Sequence, residues 1–77
     1  PVVRVRGLNV GRRRDPENNY VITMDLETYE LLKQSINRLG LSVETAGNVI
    51  IVRDKSRSRI NKLVNIAREL GINVIED

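Results

Sequence analysis

Two segments of this chain repeat one pattern of apolar residues, and the offset between them is 31 positions. When residues 32–43 are laid over residues 63–74, apolar residues fall on apolar residues and Gly40 falls on Gly71. Each copy predicts a helix that ends at the glycine, with one strand before it and one strand after it. The repeat therefore predicts two related strand–helix–strand units within residues 20–77.

Capping and turn residues set the limits of these elements. The first helix is predicted to begin after Asp25, a good N-cap, and to end at Gly40, because glycine readily adopts a left-handed conformation. The second helix is predicted to begin after Asp54 or Ser56 and to end at Gly71. A Gly-Asn pair between the two units predicts a two-residue hairpin turn. The predicted strands are 20–24, 41–45, 49–53 and 72–75.

Residues 1–19 precede the repeat and differ from it in composition. Residues 1–6 alternate valine with arginine, which predicts a short half-exposed strand. Residues 7–19 combine Gly, Pro and Asn with charged residues, which predicts a loop. Because 77 residues suffice for one small domain, residues 1–77 are expected to form a single domain.

From residue 20 onward the predicted order is β-α-β-β-α-β, the order of the ferredoxin-like plait. This α+β arrangement has one antiparallel sheet with both helices on one face, and here it carries an extra N-terminal strand. Strands 20–24 and 49–53 are expected at the centre of the sheet. Strands 41–45 and 72–75 are expected at its edges.

The two central strands are apolar on successive residues, as in the run Tyr-Val-Ile-Thr-Met from Tyr20. A sheet with helices on one side and water on the other should instead alternate apolar and polar residues. The open face is therefore expected to be covered, either by the N-terminal strand or by a second copy of the chain. A homodimer through the sheet also suits a domain with a limited core.

The composition excludes several kinds of site. The chain has no cysteine and no histidine, so disulfides, thiolate metal sites and a histidine general base are excluded. We predict no metal site and no cofactor. No apolar run approaches the roughly 18 residues of a membrane span, and no signal-peptide stretch is visible. The expectation is a cytoplasmic protein without a membrane partner. The lack of Cys, Trp and Phe beside 30% charged residues suits a thermophile.

The net charge of +3 arises from alternating basic and acidic blocks. Residues 1–14 sum to +5, residues 15–52 to −4, residues 53–68 to +5 and residues 69–77 to −3. Such a chain can fold with one basic face and one acidic face, and the alternative is a solvated surface of mixed charge.

The two predicted helices begin with opposite charge. Acidic residues, Asp25 and Glu27, open the first helix, whereas cations surround the start of the second: Lys55, Arg57, Arg59 and Lys62. A helix N-terminus carries partial positive charge and disfavours cations by about 0.3–1 kcal/mol each. Cations placed there indicate a bound anion, since unpaired N–H groups and flexible cations together form a phosphate site. The alternative is that these side chains only solvate the surface.

Arginines of the first basic block form the second candidate surface. Arg12, Arg13 and Arg14 lie in the predicted loop and suit an arm that follows a nucleic-acid backbone. Arg4 and Arg6, on one face of the predicted first strand, would extend this surface. A solubilising loop, and packing beside an edge strand, are the corresponding structural alternatives.

These features predict a small basic protein that binds DNA or structured RNA through phosphate contacts, without strong base specificity. With two tyrosines as the only aromatic residues, base stacking is not the main mode of binding. No nucleophile–base pair and no Walker-type glycine-rich loop is visible, so we do not predict an enzyme. The alternative is a dimeric regulatory or assembly module that binds a protein partner or a small anionic ligand.

Overall fold

A computed structural model describes residues 7–11 and 15–76 of the chain. The predicted first strand, residues 1–6, lies outside this described part. The described elements are, in chain order, β1 Leu8–Val10, β2 Tyr20–Asp25, α1 Leu26–Leu39, β3 Ser42–Ala46, β4 Val49–Asp54, α2 Arg57–Glu69 and β5 Val74–Glu76. The five strands form one mixed sheet in the order β3-β4-β2-β1-β5.

Both helices begin after a predicted cap, and α1 ends at its predicted glycine, whereas α2 ends at Glu69 with Leu70 as its C-cap, one residue before Gly71. The Asp25 carboxylate caps α1 by accepting the backbone N–H of Thr28 at 3.3 Å, and Gly40 ends the helix with a φ of 72°. Ser56, rather than Asp54, caps α2, and its hydroxyl accepts the backbone N–H of Arg59 at 3.3 Å. The choice between the two predicted caps of α2 is thus settled in favour of Ser56.

The centre of the sheet agrees with the sequence prediction. Strands β2 and β4 pair antiparallel, from Tyr20 opposite Asp54 to Asp25 opposite Val49. Strand β3 joins β4 through the predicted Gly-Asn turn, in which Gly47 has a φ of 62°. Strands β3 and β5 lie at the two edges.

The rest of the sheet corrects the prediction. Strand β1 lies inside residues 7–19, which were predicted to form a loop, and it separates β5 from β2. Because β1 and β5 run parallel, the expectation of a wholly antiparallel sheet is wrong. The physical reason is burial: Leu8 is fully buried and lies opposite Met24, which is itself opposite Ile50, so β1 extends an apolar row across the sheet.

Gly7 makes the junction of β1 with β5 possible. Its φ is +84°, and a Cβ atom at this position would lie 2.2 Å from the carbonyl oxygen of Asn73. The next residue, Leu8, donates its backbone N–H to the same oxygen at 2.8 Å. Only glycine allows the two backbones to approach this closely without a shift.

The two helices pack on one face of the sheet. Alternate strand residues point to that face and are buried with the apolar stripes of α1 and α2: Leu8, Ile22, Met24, Ile50 and Val52. No described helix covers the opposite face, where Val21, Val49 and Ile51 are partly exposed. Neither α1 nor α2 combines the length and the apolar character needed to cross a bilayer.

The antiparallel pairing of β2 and β4 separates the two helix starts. Helix α1 follows β2 directly, and α2 follows β4 after two residues. Since β2 and β4 run in opposite directions, the helices begin at opposite ends of the sheet. We call these the α1 end, which contains Asp25 and Val49, and the α2 end, which contains Tyr20 and Asp54.

Candidate functional site

A surface depression lies at the α2 end of the sheet. Its lining comes from the loop before β2, the start of β3, the end of β4 and the start of α2: Glu17, Asn19, Ser42, Arg53, Asp54, Lys55 and Arg59. Every one of these side chains is polar or charged. The depression therefore favours a charged ligand over an apolar one.

The start of α2 combines a neutral cap, Ser56, with a nearby acid, Asp54, that belongs to β4. Asp54 accepts the backbone N–H of Ser56 through Oδ2 at 2.9 Å. Its other oxygen, Oδ1, lies 3.6 Å from Nη1 of Arg59. A carboxylate of the chain itself therefore offsets part of the positive charge of this helix start.

The four predicted cations of the α2 start are all exposed, but they do not form one patch. Within residues 7–11 and 15–76, no ion pair involves Lys55, Arg57 or Lys62, whereas Arg59 pairs with Asp54. Successive helical residues are about 100° apart, so Arg57 and Arg59 point to different sides of α2. Lys62, three positions after Arg59, shares its side.

Arg53 is a member of the depression that the sequence prediction missed. Its Nε lies 3.5 Å from Oδ2 of Asp15, and its Nη1 donates to Oε2 of Glu44. A signal was present in the sequence, because the two-residue turn at Gly47 fixes the hairpin register and places Ser42 opposite Arg53. Glu44 is then the diagonal neighbour of Arg53 on the same face of the sheet.

Asp15 fixes the loop that precedes β2. Its Oδ1 accepts the backbone N–H groups of Asn19 at 2.7 Å and Glu17 at 3.0 Å, and its Oδ2 accepts the Asn19 side-chain amide at 3.0 Å. The Asn19 backbone N–H is the largest influence on the pKa of Asp15, and the net result of this bond, its neighbours and the Arg53 charge is a lowered pKa.

The arginine run of the first basic block lies outside the described residues, as do Arg4 and Arg6. The residues that flank Arg12, Arg13 and Arg14 are described. Gly11 donates its backbone N–H to the carbonyl oxygen of Val21 at 2.9 Å, and Asp15 contacts Arg53. Both flanking residues therefore lie beside strands of the α2 end.

Acidic side chains of the described part do not gather into a metal site. No group of three or more His, Cys, Asp or Glu residues in residues 7–11 and 15–76 is arranged to hold a metal ion.

Comparison of the chain with protein-family models, with curated proteins and with solved structures finds no match.

Proposed function

We propose that this protein binds nucleic acid, either DNA or structured RNA, through phosphate contacts at the α2 end of the sheet. In this proposal it is a binding protein and not an enzyme, and it has no strong preference for base sequence. The polar lining of the depression supports phosphate contact rather than base stacking, because it contains no aromatic side chain.

The observation that carries the proposal is the position of the residues that follow the arginine run, next to the second basic block. Asp15, which directly follows the arginine run 12–14, contacts Arg53 in the second basic block. Glu17 and Asn19 line the same depression as Lys55 and Arg59. A phosphate backbone that crosses this end would therefore meet Lys55 and Arg59 next to the residues that follow the arginine run.

The ion pairs of the site show which of its cations are free to bind a phosphate. Arg53 and Arg59 each have a carboxylate partner, whereas Lys55, Arg57 and Lys62 have none within the described residues. Unpaired exposed cations can bind a phosphate without first losing a protein contact. Lys55 lines the depression and Lys62 lies on the same side of α2 as Arg59, so we propose these two lysines as the main contacts of this helix start, with Arg12, Arg13 and Arg14 as the arm.

The test is the salt dependence of binding to a labelled duplex DNA and a folded RNA. For the double variant Lys55→Ala/Lys62→Ala we expect weaker binding and a slope of log affinity against log salt that is smaller by about 0.9 per lost phosphate contact. The control Lys33→Ala/Arg68→Ala removes the same charge from other positions of the helices. Equal slopes for both double variants and the natural chain would contradict the proposal.

A second candidate function has one observation in its favour. The face of the sheet opposite the helices presents Val21, Val49 and Ile51, all partly exposed, and Ile75 is 42% exposed on the same face. A dimeric assembly module that pairs through this face would bury them. Light scattering would then report a dimer that Ile51→Lys dissociates and that added salt does not weaken. A monomer at all concentrations would contradict this alternative.

A further inference from the structure

Glu44 pairs with Arg53, an arginine that lines the depression. Its Oε2 accepts a hydrogen bond from Nη1 of Arg53, across the β3–β4 hairpin. A guanidinium binds a carboxylate and a phosphate through the same planar set of N–H donors. Arg53 lines the depression at the α2 end, so a phosphate bound there would compete with Glu44 for the guanidinium, of which Glu44 uses Nη1.

The two carboxylates on Arg53 differ in how firmly they are held. Asp15 is 15% exposed and accepts three hydrogen bonds from its own turn. Glu44 is 56% exposed on an edge strand, and its Arg53 contact is the one hydrogen bond that its side chain makes within the described residues. An exposed ion pair of this kind is weak and is screened by salt. Glu44 is therefore the partner that can leave.

We infer that Glu44 is an internal competitor of the ligand: it holds Arg53 in the free protein and is displaced by a phosphate when nucleic acid binds. The inference rests on the proposed function, since it concerns the same site. The inference also explains why Arg53 lines the depression although it is paired with two acids of the protein, Asp15 and Glu44. Glu44 then lowers the affinity of the protein for nucleic acid, and it prevents Arg53 from binding weak phosphate ligands.

The experiment compares Glu44→Gln with Glu17→Gln in binding to the labelled duplex DNA at several salt concentrations. Glu17 is a matched control because it lines the same depression but makes no ion pair within the described residues. Both variants remove one negative charge, and circular dichroism checks that both are folded. We expect Glu44→Gln to bind about twofold to fivefold more tightly than Glu17→Gln, the equivalent of one exposed ion pair. Its salt slope should equal that of the natural chain, because Arg53 contacts a phosphate in both complexes.

The same comparison in an Arg53→Gln background isolates the pair. There, Glu44→Gln and Glu17→Gln should have the same effect, because the group for which Glu44 competes is gone. Suppose that the natural chain binds nucleic acid, but Glu44→Gln and Glu17→Gln change its affinity equally in both the natural and the Arg53→Gln background. The competitor role is then refuted and the proposed function stands. If neither the natural chain nor Glu44→Gln binds duplex DNA or folded RNA, both are refuted.

Discussion

The starts of the two helices occupy comparable places after a central strand, yet they meet the same electrostatic need differently. At α1 the acid is the cap itself: Asp25 accepts from both the N–H and the hydroxyl of Thr28, and Glu27 adds a second acid in the first turn. At α2 the cap is Ser56, the first turn has no acid, and Asp54 stands before the cap.

The difference has a consequence for each end of the sheet. The α1 start is electrostatically complete, because acids face the positive end of the helix dipole and a buried hydroxyl is satisfied. The α2 start has one acid, Asp54, and this acid pairs with Arg59. The other exposed cations nearby, Lys55, Arg57 and Lys62, have no ion-pair partner within the described residues, so no carboxylate competes for them. In the proposed function an external anion completes the α2 start, whereas the α1 start already has its acids.

The largest expected effect comes from removing the two caps. Asp25→Ala should lower the free energy of unfolding by about 2 kcal/mol, because it removes a cap and also leaves the hydroxyl of Thr28, 5% exposed, without its acceptor. Ser56→Ala should lower it by about 1 kcal/mol, since only the cap is lost. Urea unfolding measures both values. Equal losses would mean that Thr28 adds nothing to the α1 start.

A smaller effect on stability is expected from the two arginines in the first turn of α2, and it should differ between them. Arg57→Ala should raise the free energy of unfolding by about 0.3–1 kcal/mol, because it relieves repulsion with the helix dipole. Arg59→Ala should raise it less, since this variant also loses the Asp54 ion pair, worth about 0.2–1 kcal/mol. At the α1 start, Glu27→Ala should lower stability by an amount similar to the Arg57→Ala gain. The same sign for Glu27→Ala and Arg57→Ala would break the comparison.

The last expected effect is a pH dependence confined to the α2 end. The pKa of Asp15 is lowered in the folded protein, chiefly by the Asn19 backbone N–H. A lowered folded pKa means that Asp15 contributes stability above its unfolded pKa, which is about 3.9, and that this contribution is lost as the pH falls through the folded value. The variant Asp15→Asn should therefore be less stable than the natural chain above about pH 5, and the difference should shrink below about pH 4. A difference that stays constant with pH would show that the Asp15 charge has no part in fixing the loop.

Local signals in the sequence were sufficient for most elements. A short acid before an apolar stripe and a glycine after it mark α1, and the Gly-Asn pair marks the turn between β3 and β4. These signals work because caps and turns satisfy backbone groups within a few residues of sequence. The same hairpin register could have identified Arg53 as a neighbour of Glu44, which shows that strand pairing also predicts side-chain contacts.

Strand β1 could not be predicted in the same way. Leu8–Val10 is too short to show a reliable alternation, and the Gly, Pro and Asn residues after it indicate a loop. Its stability comes from the neighbours on either side, since Leu8 is buried against the apolar row of β2 and β4. Short strands of this kind are stabilised by tertiary packing rather than by their own propensity.

The sequence by itself determined the two helices, the central β2–β4 pair, the β3–β4 hairpin and the opposite charges of the two helix starts. Tertiary structure decided where those charges lie. Because β2 and β4 are antiparallel, the acidic and the basic helix starts lie at opposite ends of the sheet. Because β1 pairs with β2, Gly11 lies beside Val21, and on the other side of the arginine run Asp15 contacts Arg53. Charge blocks are local in sequence, but their position in the fold depends on strand order, and packing across the whole sheet sets that order.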